Sequence, residues 1–269
     1  MKVLLFIFGL LISMSGMSQV YPQFGARSAG IGGTGLTISD VYATYNSPGA
    51  FGALEHTSVG LTYENRFLLS QLSTQAIALG YCTEKSGNIG IHFQQYGFNL
   101  YREMQGGLTY GLKLAKRFYG GFGLNFHRIQ LGENYGSKNT ATGTVGLFYA
   151  IREDLNFGVR IQNLSRTKLA EFEDERLPTR FGVGASYIFS EKVFWTIEAE
   201  KDLLNPINVK SGLEIHPHEI LYLRLGVNSY PFQSSFGFGL AFGKLRFDMA
   251  TLWHSSLGMS PSAGLNFNF

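Results

Sequence analysis

Cysteine, proline, net charge and long apolar runs are all scarce in this 269-residue chain, and each scarcity excludes something. A single cysteine, Cys82, cannot close an internal disulfide, so no disulfide framework holds the fold. Charged residues are 15% of the chain, well below the roughly 25% of ordinary globular domains. The formal balance of +3 is near neutral and argues against nucleic acid as a partner. After the N-terminus no stretch of 18 apolar residues occurs, which excludes a membrane-spanning helix. Against seven prolines stand 34 glycines, 23 phenylalanines and 14 tyrosines, an odd composition for a soluble enzyme.

The first residues carry an export signal. Lys2 precedes the apolar run Val3 to Ile12, and Gly16 and Ser18 supply the small residues of a cleavage site before Gln19. The apolar run is shorter than the roughly 20 residues a spanning helix needs. No cysteine lies near the cut, so no lipoprotein anchor is expected. Residues 1–18 are therefore read as a signal peptide, 19–55 as a separate N-terminal segment and 56–269 as the folded body.

From residue 56 onward, apolar and polar residues alternate with period two, the mark of strands with one apolar face. Phe236, Phe238, Leu240 and Phe242 alternate with Gly237, Gly239, Ala241 and Gly243. Leu221, Leu223, Leu225 and Val227 alternate with Tyr222, Arg224, Gly226 and Asn228. Fourteen such segments fall near 56–64, 73–82, 88–96, 105–115, 120–131, 142–151, 154–162, 179–189, 193–202, 208–216, 219–228, 235–242, 244–253 and 261–269. Each is about the 9–11 residues of a tilted membrane strand. A slip of phase at His127 and Arg128 predicts a bulge or the membrane edge.

The expected fold is all-β: a fourteen-stranded antiparallel transmembrane barrel, monomeric, in the outer membrane of a Gram-negative bacterium. Short links such as 152–154, 190–192 and 217–218 alternate with longer ones such as 65–72 and 163–178, as periplasmic turns alternate with outer loops. An even strand number places both ends of the barrel in the periplasm. A soluble β-sandwich is the competing fold, since alternation alone does not exclude it. Two features favour the barrel. The polar face carries Arg160, Glu198, Glu200, Lys210, Glu214, Arg224, Arg246 and Asp248, as a wet or plugged lumen would. The chain also ends on the alternating Leu265, Phe267 and Phe269, resembling the signal that barrel-assembly machinery reads.

Residues 20–55 break the strand pattern and are rich in Gly, Ser and Ala. Fourteen strands enclose more space than wall side chains fill, so this segment is expected to fold inward as a plug, with a disordered periplasmic leader as the alternative. The charges on strands nine to eleven, Glu198 to Arg224, then have two readings: they hold barrel and plug together, or they line a pore. The first is favoured.

The stretch Gly25-Ala26-Arg27-Ser28-Ala29-Gly30-Ile31-Gly32-Gly33, followed by Asp40 and by Asn46-Ser47-Pro48-Gly49-Ala50, resembles the N-terminal hatch of the FadL/PorV/PorQ superfamily. Ser47 and Gly49 are inserted in that superfamily's Asn-Pro-Ala element. The resemblance implies hatch roles for Gly30, Gly32, Gly33, Asp40, Asn46, Pro48 and Ala50. It also implies one of two functions. FadL relatives move hydrophobic molecules inward through a hatch and a lateral opening. PorV and PorQ relatives serve type IX secretion. The longest expected outer loop, 163–178, is short for a ligand-capture site, and lumen charges oppose a hydrophobic conduit. The expectation is an accessory subunit of a secretion or assembly machine, with FadL-like transport as the alternative. Expected partners are outer-membrane lipid and lipopolysaccharide, the assembly machinery during insertion, and other outer-membrane or secretion proteins.

Chemistry-bearing motifs are weak. Gly30 to Gly35 matches G-x-G-x-x-G without the strand and helix a dinucleotide site needs. His216-Pro217-His218 reads as a solvated turn, and residues 171–176 as a solvated acidic loop tip. His254 and Ser255 lack an orienting third group and an oxyanion site. No catalytic, cofactor or metal site is expected.

Overall fold

The computed structural model describes residues 24–83, 86–132, 136–165, 167 and 176–269. The expected signal peptide and most of the acidic loop lie outside the described residues. Fourteen strands form the body. They are β1 (Ser58–Asn65), β2 (Ser73–Tyr81), β3 (Asn88–Phe98), β4 (Tyr101–Ala115) and β5 (Phe118–Leu131). Then come β6 (Ser137–Ala150), β7 (Leu155–Gln162), β8 (Arg180–Ser190), β9 (Val193–Asp202) and β10 (Asn208–His218). The last four are β11 (Leu221–Ser229), β12 (Phe232–Phe242), β13 (Leu245–His254) and β14 (Gly258–Asn268). Each strand pairs antiparallel with its sequence neighbours, and β1 pairs with β14 from Ser58↔Asn268 to Glu64↔Ser262. The sheet is a closed barrel, which excludes the sandwich.

The start of β1 and the end of β14 lie at one end of the barrel, called here the near end; the end of β7 and the start of β8 lie at the other, the far end. Alternation sets the two faces. On β3, Ile89, Ile91 and Phe93 are exposed outward, while Gly90, His92 and Gln94 are buried inward. Tyr81, Tyr149, Phe157, Phe189, Phe242 and Phe269 ring the near end outside, and Tyr63, Phe232 and Trp253 stand at the far end. Two aromatic girdles around an apolar band are the exterior of a membrane barrel.

Of the two outcomes expected at His127 and Arg128, a bulge or the membrane edge, the bulge is absent. Register runs unbroken through both residues on both sides of β5, and Arg128 points outward above Phe126, so the polarity change marks the edge of the apolar band. Register irregularities lie instead at the near end, between Lys113 and Ala115, Ile188 and Ser190, and Ile215 and His218. Strands β4 to β6 also begin or end farther out than expected, at 15, 14 and 14 residues. The link between β3 and β4 is only Asn99 and Leu100 as a result.

Residues 24–55 lie inside the barrel as three single-turn helices, α1 (Ala26–Gly30), α2 (Ala43–Asn46) and α3 (Pro48–Phe51), joined by turns. The two residues inserted in the hatch element account for α3. Ser47 is its N-cap, Oγ accepting from the Ala50 N–H at 3.3 Å, and Pro48 follows at the first helical position. Gly49 lets the helix lie against the wall, since a Cβ there would be 2.5 Å from the Leu147 carbonyl carbon. The wall answers with inward glycines: Gly111 faces Gly52, Gly121 faces Pro48, and Gly226 faces Gly32.

Candidate functional site: a plug with one charged and one apolar side

The charged side of the plug is held by β7 to β13. Arg27 forks onto Glu214, with Nε 3.0 Å from Oε2 and Nη2 2.7 Å from Oε1. Glu214, with no exposed side-chain surface, also accepts from Arg224 Nε at 2.6 Å and Arg246 Nη2 at 3.1 Å. Asp248 lies 2.7 Å from Arg224 Nη2 and 3.1 Å from Arg246 Nε. A second network sits on β7, β9 and β10. Arg160 pairs with Glu200 at 2.8 Å and donates from Nη1 to the Asn46 carbonyl at 2.5 Å, and Lys210 stands 3.4 Å from Glu200. Glu198 accepts the backbone N–H groups of Gly35 and Leu36. Lys210 lies directly across from Glu198, and Glu214 across from Arg224, as neighbours in the sheet. Dehydrating so many charges is costly, and each carboxylate offsets that cost by binding several donors.

Within the plug, Asp40 is partly exposed and its Oδ1 accepts from the Tyr42 N–H at 2.9 Å. Burial raises its pKa above the ordinary carboxylate value, outweighing the nearby Arg27 and Arg246. For Arg27 burial also works against the charge, but Glu214 overcomes it and the guanidinium pKa is raised.

The opposite side of the plug is apolar. Phe24, Val41, Tyr42 and Tyr45 pack on Ala76 and Ala78 of β2. Phe24, Tyr45 and the inward His92 form a cluster with ring centroids 4.6, 5.7 and 5.5 Å apart. The inward residues of β2 and β3 carry no acid, lysine or arginine: Thr74, Ala76, Ala78 and Gly80 on one, Asn88 to Tyr96 on the other. Tyr42 Oη shares its proton between two wall carbonyls, Leu61 at 2.8 Å and Leu265 at 3.0 Å, on the first and last strands.

Directly outside this seam the wall is hollowed. A groove of about 540 Å³ is lined by Leu61, Tyr63, Ile77, Phe93, Phe247 and Leu265, with Thr62, Ala76 and Gly264 among its lining. Pairing of β14, β1 and β2 is continuous here, so the wall is closed.

The hatch residues occupy defined places. Ser235 Oγ accepts the Gly32 N–H at 2.9 Å and donates to the Gly30 carbonyl at 3.0 Å. Gly32 takes φ +76, and a Cβ there would meet the Val227 carbonyl at 2.7 Å. Gly33, also at φ +76, donates to Ser28 O at 2.9 Å. The Asn46 amide pairs both backbone groups of Phe24, at 3.0 and 2.8 Å, while Pro48 and Ala50 belong to α3. Leu265 and Phe267 face outward on β14, and Phe269 N–H donates to Thr57 O at 2.8 Å.

Sequence reasoning missed Arg27 and Tyr42 as anchors. The available signal was that Arg27 is the lone cation between residues 19 and 55, beside a barrel lined with carboxylates. The reading of His216 as part of a solvated turn is corrected: it belongs to β10, 3.2 Å from Glu214 and edge-on to Tyr222 with ring centroids 4.1 Å apart. His254 Nδ1 accepts the backbone N–H groups of Ser256 and Leu257, closing its turn. Gly30 to Gly35 forms the end of α1 and the turn after it.

No family profile and no curated protein matches the sequence. Solved structures do. A TodX monoaromatic hydrocarbon channel lacking its S2 and S3 elements superposes with TM-score 0.68 at 11% identity, covering 91% of this chain and 99% of that one. The CymD monoaromatic hydrocarbon channel gives 0.67 at 12%, covering 91% and 97%. A FadL homologue of Pseudomonas aeruginosa gives 0.64 at 12%, covering 92% and 97%. At these identities the likeness is one of fold alone: this chain shares the closed-barrel fold of these channels.

Proposed function

We propose that the protein is an outer-membrane passage for small hydrophobic molecules, closed by its N-terminal plug, with the near end in the periplasm. The carrying observation is the groove outside the β14–β1–β2 seam, lying across the wall from the plug's apolar side. Lumen charges were the objection to a hydrophobic conduit. Their pairing answers it: they bind the plug and one another on β7 to β13, and β2 and β3 present an uncharged face. A solute moving along that face meets Phe24, Tyr45 and Tyr42, and the seam that Tyr42 holds separates it from the groove and the lipid. The names of the structural neighbours agree in chemistry, being hydrocarbon channels. The accessory-subunit reading draws no support from fold or comparisons. Leu265, Phe267 and Phe269 are proposed as the assembly signal on the strength of their outward terminal placement.

Vesicles with a lipopolysaccharide outer leaflet test the reading, with a monoaromatic hydrocarbon and a long-chain fatty acid as probes. Uptake of at least one probe above protein-free vesicles is expected, and faster uptake with Tyr42→Phe, which frees the seam from the plug. Folded barrel that admits neither probe refutes transport, and stable co-purification with other envelope proteins would then favour the subunit role.

A further inference from the structure

We infer that the outward face of β4 to β6 at the far end binds a phosphorylated glycolipid of the outer leaflet, with Arg102 and Arg128 gripping a phosphate. This rests on the orientation proposed above, in which the far end faces the cell exterior.

Strand length is the first observation. About 9–11 residues cross the apolar band, so β4, β5 and β6, at 15, 14 and 14 residues, stand several residues beyond it. The protruding part forms a palisade with a continuous register, and register decides which side chains meet. Met104 lies opposite Arg128, and Arg102 opposite Gln130. Arg102 and Arg128 are therefore diagonal neighbours on the outward face, with Cα atoms roughly 7–8 Å apart. Asn139 lies opposite Arg128 on the other side. Below them Phe126, Leu124 and Leu108 are exposed at 60, 50 and 52%.

Charge is the second observation. Arg128 is exposed and has no ion pair or hydrogen bond among the described residues. Among the described residues Arg102 donates only from Nη2 to Asn99 Oδ1 at 3.3 Å, and its Nε is buried without a partner. Two guanidiniums thus stand side by side on a lipid-facing wall with no carboxylate between them among the described residues. Elsewhere on the far outward face, the described cation Lys201 is already bonded to the Asn205 carbonyl at 2.6 Å. Placing arginine on the lipid face costs little at the membrane edge and about 2–4 kcal/mol at its centre. The pair lies at that edge. Guanidinium forks suit phosphate oxygens, the amides of Gln130 and Asn139 suit sugar hydroxyls, and the apolar bed beneath suits acyl chains.

The full-length protein, purified in detergent, is titrated with bisphosphorylated lipid A, with dephosphorylated lipid A and with phosphatidylglycerol, and bound lipid is counted by native mass spectrometry. Wild type is expected to prefer bisphosphorylated lipid A over both others. The Arg102→Gln/Arg128→Gln pair is expected to bind it about tenfold more weakly or worse, a loss of about 1.4 kcal/mol. Each single variant should show part of the loss, which covers a double variant that fails to fold. Unchanged affinity in the folded variants, or equal binding of dephosphorylated lipid A, overturns the site. Equal binding of phosphatidylglycerol overturns the choice of glycolipid. Binding in detergent needs no transport, so failure here and failure of the channel reading are separate outcomes.

Discussion

Replacing Gly111 by alanine adds one methyl group where the wall of the barrel touches the plug. Gly111 faces inward on β4, and its Cβ would lie 2.5 Å from Gly52 N, 2.7 Å from Gly52 Cα and 3.1 Å from the Phe51 carbonyl carbon. Ordinary contact begins near 3.4 Å, and all three neighbours are backbone, so no rotamer change relieves the clash. The strand itself accepts alanine. What must move is the end of α3, by close to 1 Å at the tightest contact. Overpacking of this kind costs about 1–3 kcal/mol, which lowers the ratio of seated to unseated plug roughly 5- to 150-fold. Gly143→Ala is the control, because an added Cβ there meets nothing within 4 Å. Single barrels in planar bilayers report the outcome as the frequency of open events, with heat-modifiable migration confirming the fold. Gly111→Ala is expected to open more often by a factor in that range, and Gly143→Ala to match wild type. Equal opening in all three proteins would show that α3 does not seat against β4, or that the plug does not close the lumen.

Two further perturbations act on the charged side. Glu214→Gln takes from Arg27 its ion-pair partner among the described residues and leaves Arg224 and Arg246 with Asp248; breaking a buried pair costs about 3–5 kcal/mol. The expected result is a lower denaturation midpoint and a protease-sensitive plug, and a loss under about 1 kcal/mol would contradict the assigned network. Asp40 gives a pH dependence. Its folded pKa is raised, so the folded state holds the proton more tightly than the unfolded one. The stability from this group is present at low pH and is lost as pH rises from about 4, the unfolded value, through the raised one. Asp40→Asn should abolish that decline in denaturation midpoints taken from acid to neutral pH, and an identical slope in both proteins would rule Asp40 out as its source.

The strands were legible because alternation asks only which of two faces a residue takes, and Phe236 to Gly243 answers without ambiguity. The far-end extensions of β4 and β6 were not. Beyond the apolar band the outward residues become Arg102, Arg128 and Asn139, so the contrast between faces fades while pairing continues. The same fading produced the apparent slip at His127. In the plug, the inward location followed from composition, while the α3 cap at Ser47 came only with the structure. So did the seat, since Arg27 and Glu214 are 187 positions apart and only the barrel's closure brings them together.

The hydroxyl of Tyr42 has a consequence for assembly. Its two acceptors belong to the first strand made and the last, so neither strand alone completes the contact. The stopper's full grip on the wall therefore exists only once the last strand has joined the first, so closure of the cylinder is a condition for seating it.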